Sequence, residues 1–60
     1  MEIKNSTPEL RKILNKIISF KCTNRSRVYK GVLEEVFRGQ ILVCGDWFSI
    51  RDIYSVKLEE

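Results

Sequence analysis

Two hydrophobic rhythms divide this chain. Leu10, Ile13, Leu14 and Ile17 recur at i, i+3, i+4 and i+7, with Arg11, Lys12, Asn15 and Lys16 between them. That spacing puts four aliphatic side chains on one face of a helix and the basic ones on the other. Just upstream, Ser6-Thr7-Pro8-Glu9 reads as a helix start. Ser6 and Glu9 have capping-box spacing, Thr7 is an equally good cap, and Pro8 falls in the first turn, where its missing N–H costs no hydrogen bond. The pattern predicts a polar lead-in and cap over 1–7 and a helix over 8–17.

From Ile18 the period changes to two. Ile18, Phe20 and Cys22 alternate with Ser19, Lys21 and Thr23, as in a half-buried strand. Thr23-Asn24-Arg25-Ser26-Arg27 contains no apolar residue and reads as a basic loop. Val28 to Val36 forms the next strand, bent near Gly31, with Tyr29, Gly31 and Leu33 on one face. A turn over 37–40 leads into Ile41-Leu42-Val43-Cys44, apolar on both faces, and Gly45-Asp46 reads as a tight hairpin connection. Trp47 to Ile50 returns with Phe48 and Ile50 inward and Trp47 outward. Arg51-Asp52 interrupts, and Ile53 to Leu58 closes the sheet. The expected fold is mainly β with one N-terminal α-helix, its five antiparallel strands over 18–58 curling into a small barrel.

The segment Gly31-Val-Leu-Glu-Glu-Val, a turn, Gln40-Ile-Leu-Val, then Phe48-Ser-Ile-Arg-Asp-Ile-Tyr-Ser-Val-Lys-Leu58 resembles the C-terminal barrel of the YolD-like family. The preceding amphipathic helix is also in that family's order. More distantly the pattern is similar to the WYL domain and to the Sm and Hfq proteins, which are SH3-like or Sm-like small barrels with one helix and five strands. The likeness covers about residues 8–58 and implies a fold rather than a function. The chain lacks the Tyr-Leu core motif of WYL and the histidine-bearing RNA-contact motif of Hfq, so no RNA site is carried over from them.

Sixty residues allow one domain, 1–60, with little room for an enclosed catalytic pocket. The chain has no histidine, which removes the commonest general base and any Ser-His or Cys-His pair. Glu34 and Glu35 are adjacent on a strand and so point to opposite faces, while Asp46 and Asp52 fall at turns, where short acids serve the backbone. These residues predict no catalytic site and no enzyme. With Cys22 and Cys44 alone, no usual zinc ligand set exists and no cofactor is implied. The N-terminus has no signal-peptide core and no apolar run reaches a membrane span. The expectation is therefore a cytoplasmic protein with reduced, buried thiols and no membrane contact.

Charge sharpens the picture. The formal net charge is +3, but residues 1–30 hold eight cations against two acids, and residues 31–60 hold three against six. The halves carry +6 and −3. Lys21, Arg25, Arg27 and Lys30 flank one loop beside Asn24 and Ser26. Such a cluster attracts polyanions and grips phosphate, so these four are the expected anion-binding residues, with nucleic acid or a nucleotide as partner. The bland alternative is a solvated basic surface. Trp47 and Tyr29 offer stacking surfaces, although the phase of Tyr29 makes it core. Strands apolar on both faces need cover, which makes Trp47, Val28, Val32, Ile41 and Val43 interface candidates in a homo-oligomer, basic half against acidic half. The competing function is a protein-interaction module, such as a phage-encoded inhibitor or regulatory accessory protein, acting on its target through Trp47 or a sheet edge.

Overall fold

The computed structural model describes residues 2–59. One short helix, α1 (Thr7–Arg11), precedes five strands: β1 (Ile17–Cys22), β2 (Val28–Phe37), β3 (Gln40–Val43), β4 (Asp46–Ser49) and β5 (Ile53–Leu58). A 3₁₀ turn, Ile50–Asp52, links β4 to β5. The strands form one antiparallel sheet in the order β4-β3-β2-β1-β5. The sheet is not closed into a barrel, so β4 and β5 are its edges. Among the described residues no helix is long and apolar enough to cross a membrane.

The helix is half as long as its periodicity predicts. Leu10 and Ile13 are buried, but Leu14 and Ile17 are exposed, and Ile17 opens β1 opposite Val32. Asn15 adopts a φ of 69°, a left-handed conformation that asparagine tolerates better than most residues. Beyond it the backbone bonds to β2: Asn15 N–H donates to Leu33 O at 2.7 Å and Leu33 N–H donates to Lys16 O at 2.9 Å. A lone helix of ten residues is marginal, and strand pairing satisfies the same backbone groups. Ser6 is the N-cap and Pro8 lies in the first turn, but the Ser6 side chain makes no capping bond. The segment expected to be a lead-in is tied to the sheet instead, with Ile3 N–H donating to Val56 O and Glu2 bridging Lys57.

Inward-facing residues of all five strands build the core, by alternation in β1, β3 and β4 and with irregularities in β2 and β5. Ile18, Phe20 and Cys22 of β1 meet Tyr29, Leu33 and Val36 of β2, Ile41 and Val43 of β3, Phe48 of β4, and Ile53 and Val56 of β5. Phe20 stacks on Tyr29 at 5.6 Å and meets Phe48 edge-on at 5.0 Å, so three strands converge on one aromatic cluster. A register shift between Leu33 and Glu35 keeps Leu33 and Val36 both inward and leaves Glu34 and Glu35 both exposed. The expected opposition of those two acids therefore does not arise.

The β3–β4 hairpin turns one residue earlier than its Gly-Asp signal suggests. Cys44 and Gly45 occupy the turn, with φ of 55° and 77°, and Asp46 begins β4. Positive φ at both central residues matches the twist of the flanking strands. Cys44 is thereby an exposed thiol rather than a buried one, while Cys22 is buried as expected. Ile41 and Val43 are both fully buried in the core, so they are not interface residues; Leu42, opposite in phase, takes the outer face. Val28, Val32 and Trp47 are exposed.

Candidate anion-binding clefts

The loop between β1 and β2 is held at its β1 end. Thr23 N–H donates to Asp52 O at 2.8 Å, and Arg25 N–H donates to Cys22 O at 3.2 Å. This places two arginines over Tyr29. Arg25 Nη1 donates to Tyr29 Oη at 2.7 Å, and the Arg27 guanidinium carbon lies 4.8 Å from the ring centroid. The hydrogen bond to Tyr29 raises the Arg25 pKa further above its ordinary value, so its charge is permanent. Arg25, Arg27, Tyr29, Phe48, Cys44 and Asp46 line a cleft of about 520 Å³. The aromatic cluster forms its base, the two guanidiniums its basic rim and Asp46 its one carboxylate.

Three of the four expected cations, Arg25, Arg27 and Lys30, line this cleft, and Lys21 does not. Lys21 and Lys30 alternate with the inward Phe20 and Tyr29, so they stand on the outer face of the sheet. Lys30 borders the cleft, but its ammonium lies 3.8 Å from the Glu59 carboxylate, which also accepts the Ser19 hydroxyl at 2.7 Å. That hydroxyl, followed by Lys30 and Lys57, holds the Glu59 pKa below its ordinary value. Lys21 lies in the row Tyr54–Lys21–Val28 and is not among the residues lining the cleft. Tyr29 is buried beneath the arginines and offers no free stacking face; Trp47 is 46% exposed and does.

A second cleft, of about 560 Å³, lies at the far ends of β2 and β4. Arg38 and Arg51 line it with Gln40 and the hydroxyl residues Ser6, Thr7 and Ser49, and no carboxylate is among its lining residues. Neither arginine is in an ion pair among the described residues. The β2–β3 hairpin creates the site: Arg38 and Gly39 both have positive φ, 51° and 74°, and Gln40 pairs with Ser49. The 3₁₀ turn holding Arg51 therefore lies next to the Arg38–Gly39 turn, an arrangement fixed by Ile50 N–H donating to Gly39 O at 2.9 Å.

The charge count along the sequence hides this pair, because Arg38 and Arg51 belong to the −3 half. A usable signal exists in the hairpin arithmetic. Once Val43 is set opposite Asp46, counting back pairs Gln40 with Ser49 and brings the two arginine-bearing turns together. Among the described residues no group of three or more Cys, Asp or Glu is placed to hold a metal ion. Compared with protein-family models, curated proteins and solved structures, the chain matches none.

Proposed function

We propose that this protein is a non-enzymatic binding module for a phosphate-bearing ligand, a nucleic acid strand or a nucleotide. The observation that carries the reading is that both clefts are lined by a pair of arginines, Arg25 with Arg27 and Arg38 with Arg51. A guanidinium offers a planar fork of donors matched to phosphate oxygens, and two beside one cleft neutralise a dianion. The role of Lys21 and Lys30 is then long-range steering rather than grip, since Lys30 is already matched by Glu59. The finer fold belongs to the same proposal. An order β4-β3-β2-β1-β5 on a long central strand with a register shift between Leu33 and Glu35 supports an SH3-like or Sm-like small barrel, as in the YolD-like likeness, working in the cytoplasm.

The test is binding of a labelled single-stranded oligonucleotide across a salt series, read by fluorescence anisotropy. Each phosphate contact contributes a slope of about −0.7 in log K against log salt for single strands, so Arg25→Ala/Arg27→Ala and Arg38→Ala/Arg51→Ala each flatten the slope by about 1.4. Unchanged affinity and slope in both double variants sinks the reading. A second reading, a protein-interaction module, draws on the exposed Trp47, which shares an outer-face row with Leu42 and Glu35. It predicts loss of partner capture in Trp47→Ala with no salt-sensitive nucleic-acid binding in the parent.

A further inference from the structure

One edge of the sheet is occupied by the chain itself and the other is open. Along β5, Ile3 N–H donates to Val56 O at 2.6 Å and Glu2 bridges Lys57. Just before β5, Asn5 Nδ2 donates to Ile50 O at 3.2 Å and to Ile53 O at 2.8 Å. Beyond β4 there is no strand among the described residues. The phase of β4 follows from its hairpin. Val43 faces Asp46 across a two-residue turn, and Ile50 N–H donates to Gly39 O, so Asp46, Phe48 and Ile50 direct their backbone groups toward the β3 side. In an antiparallel ladder the residues between them do the opposite. Trp47 and Ser49 therefore turn N–H and C=O to the open edge.

Natural edge strands are usually blunted by proline, lysine or a bulge. Asp46-Trp47-Phe48-Ser49 has none of these, and Trp47 stands exposed beside the open groups. We propose that this edge pairs with the same edge of a second copy of the chain, giving a two-fold dimer with one continuous antiparallel sheet. The second copy is favoured over head-to-tail growth because β5, the only other edge, already carries residues 2–3. A β4-to-β4 contact is self-complementary and closes after two subunits.

Charge and the length of β4 select the register. With Phe48 on the two-fold axis, Trp47 and Ser49 of the second copy exchange N–H···O bonds in reciprocal pairs. Asp46 then faces Ile50 of the second copy, beside its Arg51, and symmetry repeats the acid–base approach. A register centred on Ser49 instead calls for Arg51 and Asp52 as ladder partners of Trp47 and Asp46, and both lie in the 3₁₀ turn beyond β4. The backbone pairing is separate from the anion reading, although Asp46, Ser49 and Arg51 also line the clefts, so the oligomeric state is read without added ligand.

Multi-angle light scattering and sedimentation equilibrium on the full chain, from micromolar to millimolar concentration, test this. Ser49→Pro is the decisive variant. Ser49 has φ of −71°, which the proline ring accepts, and its N–H faces away from β3, so the internal ladder survives. Ser49→Ala keeps that N–H and serves as control. The expected result is a dimer for the parent and Ser49→Ala, and a dissociation constant about tenfold higher or more for Ser49→Pro, with an unchanged circular-dichroism spectrum. If Ser49→Pro fails to fold, Trp47→Lys reads the same edge by adding a charge to it, and is expected to be monomeric. A parent monomeric throughout, a trimer or larger ring, or parent-like dimerisation of whichever variant folds overturns the proposal.

Discussion

Adding one methyl group at Gly31 tests the packing between the two halves of the sheet. Gly31 lies on the inner face of β2 between Tyr29 and Leu33, and its φ is not in the left-handed region. An alanine there meets no backbone obstacle, and Gly→Ala at such a site ordinarily stabilises by about 0.4–1 kcal/mol through the unfolded chain. Space reverses the sign. A Cβ at Gly31 would lie 2.6 Å from Cys44 Sγ and 3.1 Å from Val43 Cγ1. Val43 is fully buried and cannot retreat, while Cys44 can rotate only by giving up its contact to Lys30 O at 3.4 Å. Overpacking of this kind costs about 1–3 kcal/mol, so Gly31→Ala is expected to lose about 1 kcal/mol net. In a domain of this size that is a fall in Tm of about 4–8 °C.

A double-mutant cycle with Cys44→Ala locates the clash. Cys44 is exposed, so its own replacement is expected to stay within about 0.5 kcal/mol of the parent. Removing Sγ relieves the shorter contact, and Gly31→Ala in the Cys44→Ala background recovers about 1 kcal/mol of coupling. Urea denaturation followed by circular dichroism gives all four corners. Gly31→Ala as stable as the parent with Cys44 present refutes the steric argument. A loss that Cys44→Ala leaves untouched refutes the assignment to Sγ and moves the clash to Val43.

The two thiols should differ in reactivity. Burial raises the Cys22 pKa, an effect the nearby Arg25 only partly offsets, whereas Cys44 is exposed at a hairpin turn. A chromogenic disulfide reagent at neutral pH is expected to label one thiol per chain quickly and the second only at the unfolding rate; Cys44→Ala abolishes the fast phase. Glu59 supplies the pH prediction. Its folded pKa is depressed, so its contribution is present above the unfolded value and lost as pH falls through the folded one. Ser19→Ala removes the largest cause, and the Glu59 carboxyl titration by NMR is expected to move up toward the ordinary glutamate value. An unmoved titration places the cause elsewhere.

Element type was legible in this sequence, and exact pairing was not. Period-two alternation identified the five strands and the inward phase of Phe20, Tyr29 and Phe48, because half-buried strands must alternate; it fails in β5, where Ile53 and Val56 are three apart yet both buried and Ser55 between them has a φ of 53°. The same local logic over-extended the helix. Leu14 and Ile17 keep a helical spacing with Leu10 and Ile13, but the backbone after Asn15 finds partners in β2, which no local pattern reveals. The hairpin was displaced by one residue because Gly-Asp is a turn signal in either frame. Only the non-local pairing of Ile41 with Val36 and Phe48 decides that Ile41 and Val43 face inward and Cys44 turns. Moving a two-residue turn by one residue shifts each cross-strand partner by two and keeps the faces, so the wrong assignment of Ile41 and Val43 came from a strand apolar on both sides, where alternation marks no inner face.

The site followed the same division, since charge along a chain is not charge in space. Arg27 and Arg38 flank the two ends of β2, and Asp46 and Ser49 bound β4 between the same two clefts. A basic first half and an acidic second half therefore interleave when the strands pair antiparallel. Lys30 is drawn to Glu59 from the opposite end of the sequence, and Asp46 is brought to the rim beside Arg25 and Arg27. Arg38 and Arg51, from the half whose sum is negative, are among the cations with no ion pair among the described residues, and theirs is the cleft with no lining carboxylate. A binding experiment that mutates only residues 21–30 would thus leave in place the arginine pair with no carboxylate lining its cleft, which is why the two double variants have to be compared side by side.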